Sequence, residues 1–119
     1  MAEPLRNPAE HQKQLNEFQQ LQQQLQVVAT QKQQLVFQTE EIKLAEESLG
    51  KTETAVYRSI GPLLVETTKS EASADLKEKK ELFEMRVTVL QKQEDKLRPR
   101  LEELRASLEK ALRENKLAR

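Results

Sequence analysis

Two heptad repeats constrain the fold of this chain more than any other feature of the sequence. With Phe18 taken as an a position, every d position of a first repeat is apolar, and so is every d position of a second repeat. Apolar residues at every seventh position over several heptads are typical of long helices that pack as coiled coils. The sequence therefore predicts one helix over 8–49 and another over 70–117. The d positions are Leu21, Val28, Leu35, Ile42 and Leu49, then Leu76, Phe83, Leu90, Leu97, Leu104 and Ala111.

Polar residues interrupt the a positions of both repeats, and these interruptions bear on how the helices pair. A chain that reverses direction between the repeats makes the helices antiparallel, with partners whose residue numbers sum to roughly 122 to 126. That pairing places Glu46 near Lys80 and Lys32 near Glu94. Opposite charges at core positions restrict the register rather than add much stability. We therefore expect Glu94→Lys to destabilise the pair and Lys32→Glu to restore it.

Short signals mark where each helix begins and ends. Asn7, Pro8 and Glu10 have the types expected of an N-cap, a first helical residue and a capping-box partner. Gly50 is the type of residue that stops a helix, so we expect the first helix to end there. Ser70 or a neighbouring threonine is expected to cap the second helix.

Pro99 lies inside the second repeat, where proline removes a backbone hydrogen bond and crowds the preceding turn. The apolar pattern resumes beyond it, which favours a kink over a stop. We expect the distal part of the helix pair, beyond Pro99, to be bent and more mobile than the rest.

A short stretch between the repeats has a different character. Residues 56–68 are rich in β-branched and aliphatic side chains and are broken once, by Gly61-Pro62. This composition predicts a β-hairpin over 54–68. An isolated hairpin is only marginally stable in water and its open edges invite further strands, so we expect the chain to oligomerise through it. The expected oligomerisation residues are Val56, Tyr57, Ile60, Gly61, Leu63, Leu64 and Val65.

Composition and charge argue against several classes of function. The chain has 20 Lys and Arg against 20 Asp and Glu, so it lacks the basic excess of nucleic-acid-binding proteins. It contains no Cys, one His (His11) and no Gly-rich phosphate loop, so we expect no metal, no cofactor and no enzymatic activity. The sequence has no apolar signal segment and no stretch suited to crossing a membrane, so we expect a soluble cytoplasmic protein that makes no membrane contact.

The insert and the helices around it resemble the prefoldin family, specifically the β class of archaeal type. The matching segments are VYRSIGPLLVETTK at 56–69, ADLKEK at 74–79, LQKQE at 90–94 and QQLQ at 19–22. The likeness covers essentially the whole chain, 1–119, as a single prefoldin-like domain. Subunits of the α class carry two hairpins between their helices, whereas the connector here has room for one.

The resemblance implies a fold and a function. The fold is mainly α, an antiparallel two-helix coiled-coil hairpin with a single β-hairpin at the bend. The hairpins of several subunits would join into an oligomeric β-barrel platform. The complex would be a hexamer of two α and four β subunits, acting as an ATP-independent chaperone. It would hold unfolded client proteins at the free helix ends, prevent their aggregation and pass them to a group II chaperonin.

Apolar residues near the free helix ends are the expected client-binding residues, because exposed apolar surface is what a non-native chain binds. The alternative for Phe18, Leu21, Leu104 and Leu108 is ordinary coiled-coil core, which their a and d placement favours. The residues off the strict seam or at its end are the first choice for client contact. The full set is Leu15, Phe18, Leu21, Leu104, Leu108, Leu112 and Leu117.

Two further alternatives stay open. The basic residues Lys110, Arg113, Lys116 and Arg119 are possible contacts for an acidic chaperonin surface, although cations that complement the helix dipole are the favoured interpretation. The rival to a chaperone is a structural coiled-coil scaffold or tether for one specific folded partner. A chaperone suppresses aggregation of several unrelated unfolded proteins, whereas a dedicated scaffold does not.

Overall fold

The computed structural model describes residues 8–117, with side chains from 9 to 114. The elements run in the order α1 (Pro8–Lys51), β1 (Val56–Ile60), β2 (Leu63–Thr67) and α2 (Lys69–Leu117). The two strands pair antiparallel, so a β-hairpin separates two long helices. The mainly helical fold class predicted from the heptad repeats and the insert is confirmed.

The described part of α1 starts at Pro8, and Asn7, the predicted N-cap, lies outside the described residues. The prediction that Gly50 stops the helix is wrong, because α1 continues through Lys51. Among the described glycines only Gly61 has a positive φ, so Gly50 does not adopt the left-handed conformation of a glycine stop.

The carbonyl groups at the end of α1 are satisfied in another way. The side chain of Lys69, at the start of α2, donates from Nζ to the carbonyl oxygens of Gly50 at 3.2 Å and Thr52 at 3.3 Å. Thr52 Oγ1 also donates to the carbonyl oxygen of Ser48 at 2.7 Å. A cation near a helix C-terminus both bonds the last carbonyls and complements the dipole. The helix therefore ends without needing glycine in a special conformation.

Helix α2 is capped by Thr68, the neighbouring threonine rather than Ser70. Thr68 Oγ1 accepts a hydrogen bond from the backbone N–H of Glu71 at 3.1 Å, the bond expected of an N-cap side chain. Ser70 lies inside the first turn. The helix then runs to Leu117 and passes through Pro99 without interruption, which agrees with the predicted continuation of the repeat. The bend at Pro99 stays a prediction.

Removing the Thr68 hydroxyl is expected to destabilise the fold measurably. We expect Thr68→Ala to lower the free energy of unfolding by about 1 kcal/mol, the usual cost of losing an N-cap side chain. Ser70→Ala is the matched control, because it removes a hydroxyl two residues away that does not serve as the cap, and it should change stability by less than about 0.5 kcal/mol. Chemical denaturation of both variants measures the difference, and equal effects would contradict the assignment of Thr68 as the cap.

The described chain forms two compact units. We call residues Lys32–Val89 the hairpin unit, because it contains the β-hairpin, and residues 8–31 with 90–117 the end unit, because it contains the free helix ends. In the hairpin unit the seam between the helices buries Thr39 and Ile42. In the same unit Lys80 Nζ lies 2.8 Å from Glu46 Oε1, so the predicted proximity of these two residues is confirmed. Lys32 and Glu94 belong to different units, and their pairing stays a prediction.

The Glu46–Lys80 pair has a predictable dependence on pH. The hydrogen bond that the Lys80 ammonium donates to Glu46 raises the pKa of Lys80 above its ordinary value of 10.5. A raised pKa in the folded state gives stability that is complete below the ordinary pKa and is lost as pH rises through the folded value. We expect the wild type to lose more stability above about pH 10.5 than Lys80→Met does. Thermal denaturation at pH 8 and pH 11 tests this, and parallel losses in both proteins would contradict it.

Candidate functional site

The β-hairpin turns tightly at Gly61 and Pro62. Ile60 pairs with Leu63, so only these two residues form the loop. Gly61 has a φ of 57°, which glycine adopts without strain and which a type II′ turn requires at its first central position. Pro62 occupies the second position, where its missing N–H is not part of the ladder. The Gly-Pro pair therefore fixes both the reversal and the strand register.

The register determines which hairpin side chains share a face. Directly paired residues lie on the same face, and side chains alternate between faces along each strand. One face carries apolar residues from both strands together with Arg58 and Thr67, and the other carries Tyr57, Ser59, Leu64 and Glu66. The apolar residues of the first face are Val56, Ile60, Leu63 and Val65.

Most of this apolar surface is exposed. Leu64 is 72 % exposed, Leu63 64 %, Tyr57 59 % and Ile60 52 %. Gly61 and Val65 are exposed as well, whereas Val56 is half-buried. Contiguous exposed apolar residues on a small element mark a surface that another molecule covers. The residues predicted to mediate oligomerisation thus lie together on one short hairpin.

The outer edges of the hairpin are open. Within the described residues the sheet has two strands only, so the outward-facing backbone groups of β1 and β2 have no strand neighbour. Unpaired edges are templates for further strands. Neither edge carries proline within its strand or a run of charges that would blunt it. The hairpin is therefore suited to forming a larger sheet with other hairpins.

Two polar contacts hold the hairpin against α2, and the contacts of Lys69 join the two helices beside it. Arg58 Nη1 lies 3.1 Å from Asp75 Oδ2, which ties β1 to the second turn of α2. Thr67 Oγ1 donates to Glu71 Oε2 at 3.0 Å, which ties the end of β2 to the first turn. The Lys69 contacts described above join the start of α2 to the end of α1. Sequence reasoning missed these contacts, because spacing alone does not show which side chains meet across the bend.

In the end unit, the residues predicted to bind clients differ in burial. Leu104 is 2 % exposed and lies in the seam between the helices, with Val28 and Ala111. Leu15 is 39 % exposed and Leu112 is 63 % exposed.

The remaining members of the predicted client-binding set are intermediate or undescribed. Phe18, Leu21 and Leu108 are half-buried. The side chain of Leu117 lies outside the described residues. Among the described side chains of this set, Leu15 and Leu112 are thus the two most available to a partner.

A bidentate ion pair joins the two helices of the end unit just past Pro99. Arg100 Nε donates to Glu17 Oε1 at 2.9 Å and Arg100 Nη2 donates to Glu17 Oε2 at 3.2 Å. These hydrogen bonds raise the pKa of the Arg100 guanidinium above its usual value. Both side chains are partly exposed, so the pair sets geometry more than it adds stability. Sequence reasoning missed this pair, although Glu17 and Arg100 both lie at g positions, where coiled-coil helices form ion pairs with each other.

The remaining predicted residues are basic and lie near the end of α2. Lys110 and Arg113 are exposed, and the side chains of Lys116 and Arg119 lie outside the described residues. In the part of the chain that the structure describes, no three His, Cys, Asp or Glu side chains are placed to hold a metal ion. Within residues 8–117 no helix is long and apolar enough to cross a membrane.

Comparisons with known proteins agree on one family. The family profile described as Prefoldin subunit matches residues 12–115. The prefoldin subunit beta of Thermococcus kodakarensis is 41 % identical over 108 residues, covering 89 % of this chain and 92 % of that protein.

Two solved structures are similar as well. The crystal structure of the prefoldin beta subunit from Thermococcus strain KS-1 superposes with a TM-score of 0.78 at 41 % identity, covering 89 % of this chain and 95 % of the other. The crystal structure of the prefoldin beta2 subunit from the same strain gives a TM-score of 0.70 at 28 % identity, covering 75 % of this chain and 97 % of the other. Sequence, hairpin and helices lead to one conclusion, that this chain belongs to the prefoldin family of chaperone subunits.

Proposed function

We propose that this chain is the β subunit of an ATP-independent holding chaperone. The observation that carries the proposal is the presence of two separate exposed apolar surfaces. One lies on the β-hairpin in the hairpin unit, and the other includes Leu15 and Leu112 in the end unit. A scaffold for one folded partner needs only a binding face, whereas a holding chaperone needs one surface for assembly and another for clients.

The hairpin surface supports assembly with other prefoldin subunits. Its open edges and exposed apolar face suit closure of several hairpins into a barrel, which removes sheet edges altogether. We propose a hexamer of two α and four β subunits on a double β-barrel platform. The arrangement uses the same residues that the isolated chain leaves exposed, so assembly accounts for them without further assumptions.

The end-unit surface supports capture of non-native chains. Leu15 and Leu112 are exposed leucines amid polar residues, and α1 is rich in glutamine there, which keeps the surface hydrated without selecting for charge. A single pair of leucines binds weakly, but several subunits in one complex act together through multivalency. We propose that clients are held in this way in the cytoplasm, without catalysis, cofactor, nucleic acid or membrane.

Transfer to a group II chaperonin is the last part of the proposal. Exposed Lys110 and Arg113 are available to an acidic surface of such a partner. The same two cations also complement the negative C-terminal end of the α2 dipole, and this role is the favoured one.

The test is an aggregation assay with several unrelated clients. The chain is assembled with an α-type prefoldin subunit, and three chemically unfolded proteins of different fold are diluted into the complex without nucleotide. We expect light scattering to be suppressed for each client when the complex and the client are present at a molar ratio of about one to one. Suppression for none of the clients would refute the chaperone function, and stable binding of one folded protein alone would support the scaffold instead.

A further inference from the structure

The β-hairpin is joined to the two helices by connections of unequal length. Residues 52–55 lie between the end of α1 and the start of β1, whereas Thr68 alone lies between the end of β2 and the start of α2. A one-residue connection fixes where β2 meets α2, but rotation about its backbone dihedral angles still changes the tilt of the whole hairpin. Contacts elsewhere must therefore set the tilt.

Packing against the helices leaves the tilt open, because a groove separates the hairpin from them. The groove has a volume of about 820 Å³ and lies within the hairpin unit. Its walls include Arg58 and Ser59 of β1, Leu49 of α1, and Leu76 and Leu82 of α2. Close packing fixes the orientation of an element, whereas surfaces that face an open groove have no van der Waals partners to do so.

One ion pair joins the middle of a strand to a helix beside this groove. Arg58 is the third of the five residues of β1, and its Nη1 lies 3.1 Å from Oδ2 of Asp75 in α2. The hydrogen bond from Thr67 to Glu71 lies next to the one-residue connection, so it holds only the base of the hairpin. Among the described side chains, no other strand residue makes a hydrogen bond or an ion pair with a helix.

The Arg58–Asp75 pair orients the hairpin more than it stabilises the isolated chain. The two side chains are 59 % and 46 % exposed, and ion pairs that water reaches so freely add little to the free energy of unfolding. The pair nevertheless restrains β1 at its midpoint. A restraint there limits the tilt more than a contact at the base does, because it lies further from the connection.

We propose that Asp75 is a positioning residue for assembly, which holds Arg58 and thereby keeps the β-hairpin at the tilt at which its open edges meet neighbouring hairpins. The inference rests on the assembly put forward above. When only a fraction of molecules has the binding orientation, the apparent affinity falls by that fraction. The factor multiplies over copies, so a threefold loss per subunit becomes about eightyfold for four copies. A weak ion pair is thus sufficient for the role.

Neutralising Asp75 tests the proposal against a matched control. Asp75→Asn removes the charge and keeps the shape of the side chain. Glu78→Gln makes the same change one turn further along α2, on an exposed residue that also lines the groove and makes no ion pair within the described part of the chain.

Each variant is assembled with an α-type prefoldin subunit, and light scattering gives the concentration at which half of the chains are assembled. We expect Asp75→Asn to raise this concentration at least about tenfold and Glu78→Gln to change it less than about twofold. Both variants should keep the far-ultraviolet circular dichroism of the wild type.

Exchanging the two charges separates positioning from a direct contact with a neighbouring subunit. Asp75→Arg alone places two cations side by side and should weaken assembly more than Asp75→Asn does. Adding Arg58→Asp rebuilds the pair with its charges reversed, and we expect assembly to return to within about threefold of the wild type. If the doubly exchanged chain assembles no better than Asp75→Arg, the positioning role is wrong.

The tilt itself is measurable with spin labels, because the chain has no cysteine of its own. Labels are placed through Glu66→Cys on β2 and Glu41→Cys on α1, both exposed positions of the hairpin unit. Double electron–electron resonance on labelled chains diluted with unlabelled ones gives the distribution of distances between the two labels. We expect a broader distribution when Asp75→Asn is added, and an unchanged width would overturn the positioning role.

The outcomes also separate this inference from the proposed assembly. If the wild-type chain forms no complex with the α-type subunit, the assembly is refuted and the positioning role with it. If the wild type assembles and Asp75→Asn assembles equally well, the positioning role is overturned and the assembly stands.

Discussion

Deletion of residues 54–68 is expected to convert the assembled protein to monomers while its helices persist. The deletion removes every exposed apolar residue of the hairpin and both open sheet edges. The helices keep their own seam, which buries Ile42 in one unit and Leu104 in the other. We expect the mass measured by light scattering to fall to that of one chain. The far-ultraviolet circular dichroism per residue should stay strongly helical.

A single substitution gives a sharper form of the same test. Leu63→Glu places a carboxylate on the apolar face of the hairpin, where assembly would remove it from water at a cost of several kcal/mol. Leu112→Glu is the matched control, since Leu63 is 64 % exposed and Leu112 is 63 % exposed in the isolated chain. We expect Leu63→Glu to raise the concentration needed for assembly more than tenfold, and Leu112→Glu to leave it unchanged. Equal behaviour of the two variants would contradict assembly through the hairpin.

Local patterns in the sequence predicted most of the fold because heptads and turn residues act locally. The stripes at the d positions predicted both helices to within a few residues of their observed ends. Gly61-Pro62 predicted the turn, because glycine adopts without strain the positive φ that the turn requires. The antiparallel arrangement then predicted the proximity of Glu46 and Lys80.

The sequence did not predict polar contacts between side chains that lie on different elements of the fold. Gly50 has the type of a helix stop, yet α1 continues through Lys51, and Lys69, nineteen residues further along than Gly50, donates to the Gly50 carbonyl oxygen. The contacts Arg58–Asp75 and Glu17–Arg100 were missed for the same reason. Such pairs depend on the rotation of each helix about its axis and on rotamer choice, which the heptad pattern does not fix.

Burial refined the predicted client-binding set in a way that spacing alone did not. Leu104 occupies a d position and Leu112 follows the d residue Ala111, so the pattern favoured core for the first and a free surface for the second. The structure buries Leu104 and Ala111 and leaves Leu112 exposed. Half-buried Phe18, Leu21 and Leu108 lie between these extremes, because a two-helix seam covers only one side of each residue.

Leu104→Ala is expected to impair stability more than client holding, and Leu112→Ala to impair client holding more than stability. Leu104 is 2 % exposed, so its truncation leaves a cavity and should lower the free energy of unfolding by about 3 kcal/mol. Leu112 is exposed, so its truncation should change stability by less than about 0.5 kcal/mol. Denaturant unfolding of the two variants measures this difference directly.

Client holding should fall when the exposed leucines are truncated and should persist when Leu104 is truncated. Both variants are compared at a temperature where they are folded. Leu112→Ala, combined with Leu15→Ala, removes apolar surface from every copy, and the loss is multiplied because several subunits hold one client. We expect at least about tenfold more complex to be needed for the same suppression of light scattering. Leu104→Ala keeps Leu15 and Leu112 and should hold clients nearly as well as the wild type. If Leu104→Ala abolishes holding while the double variant retains it, the exposed leucines are not the client-binding surface.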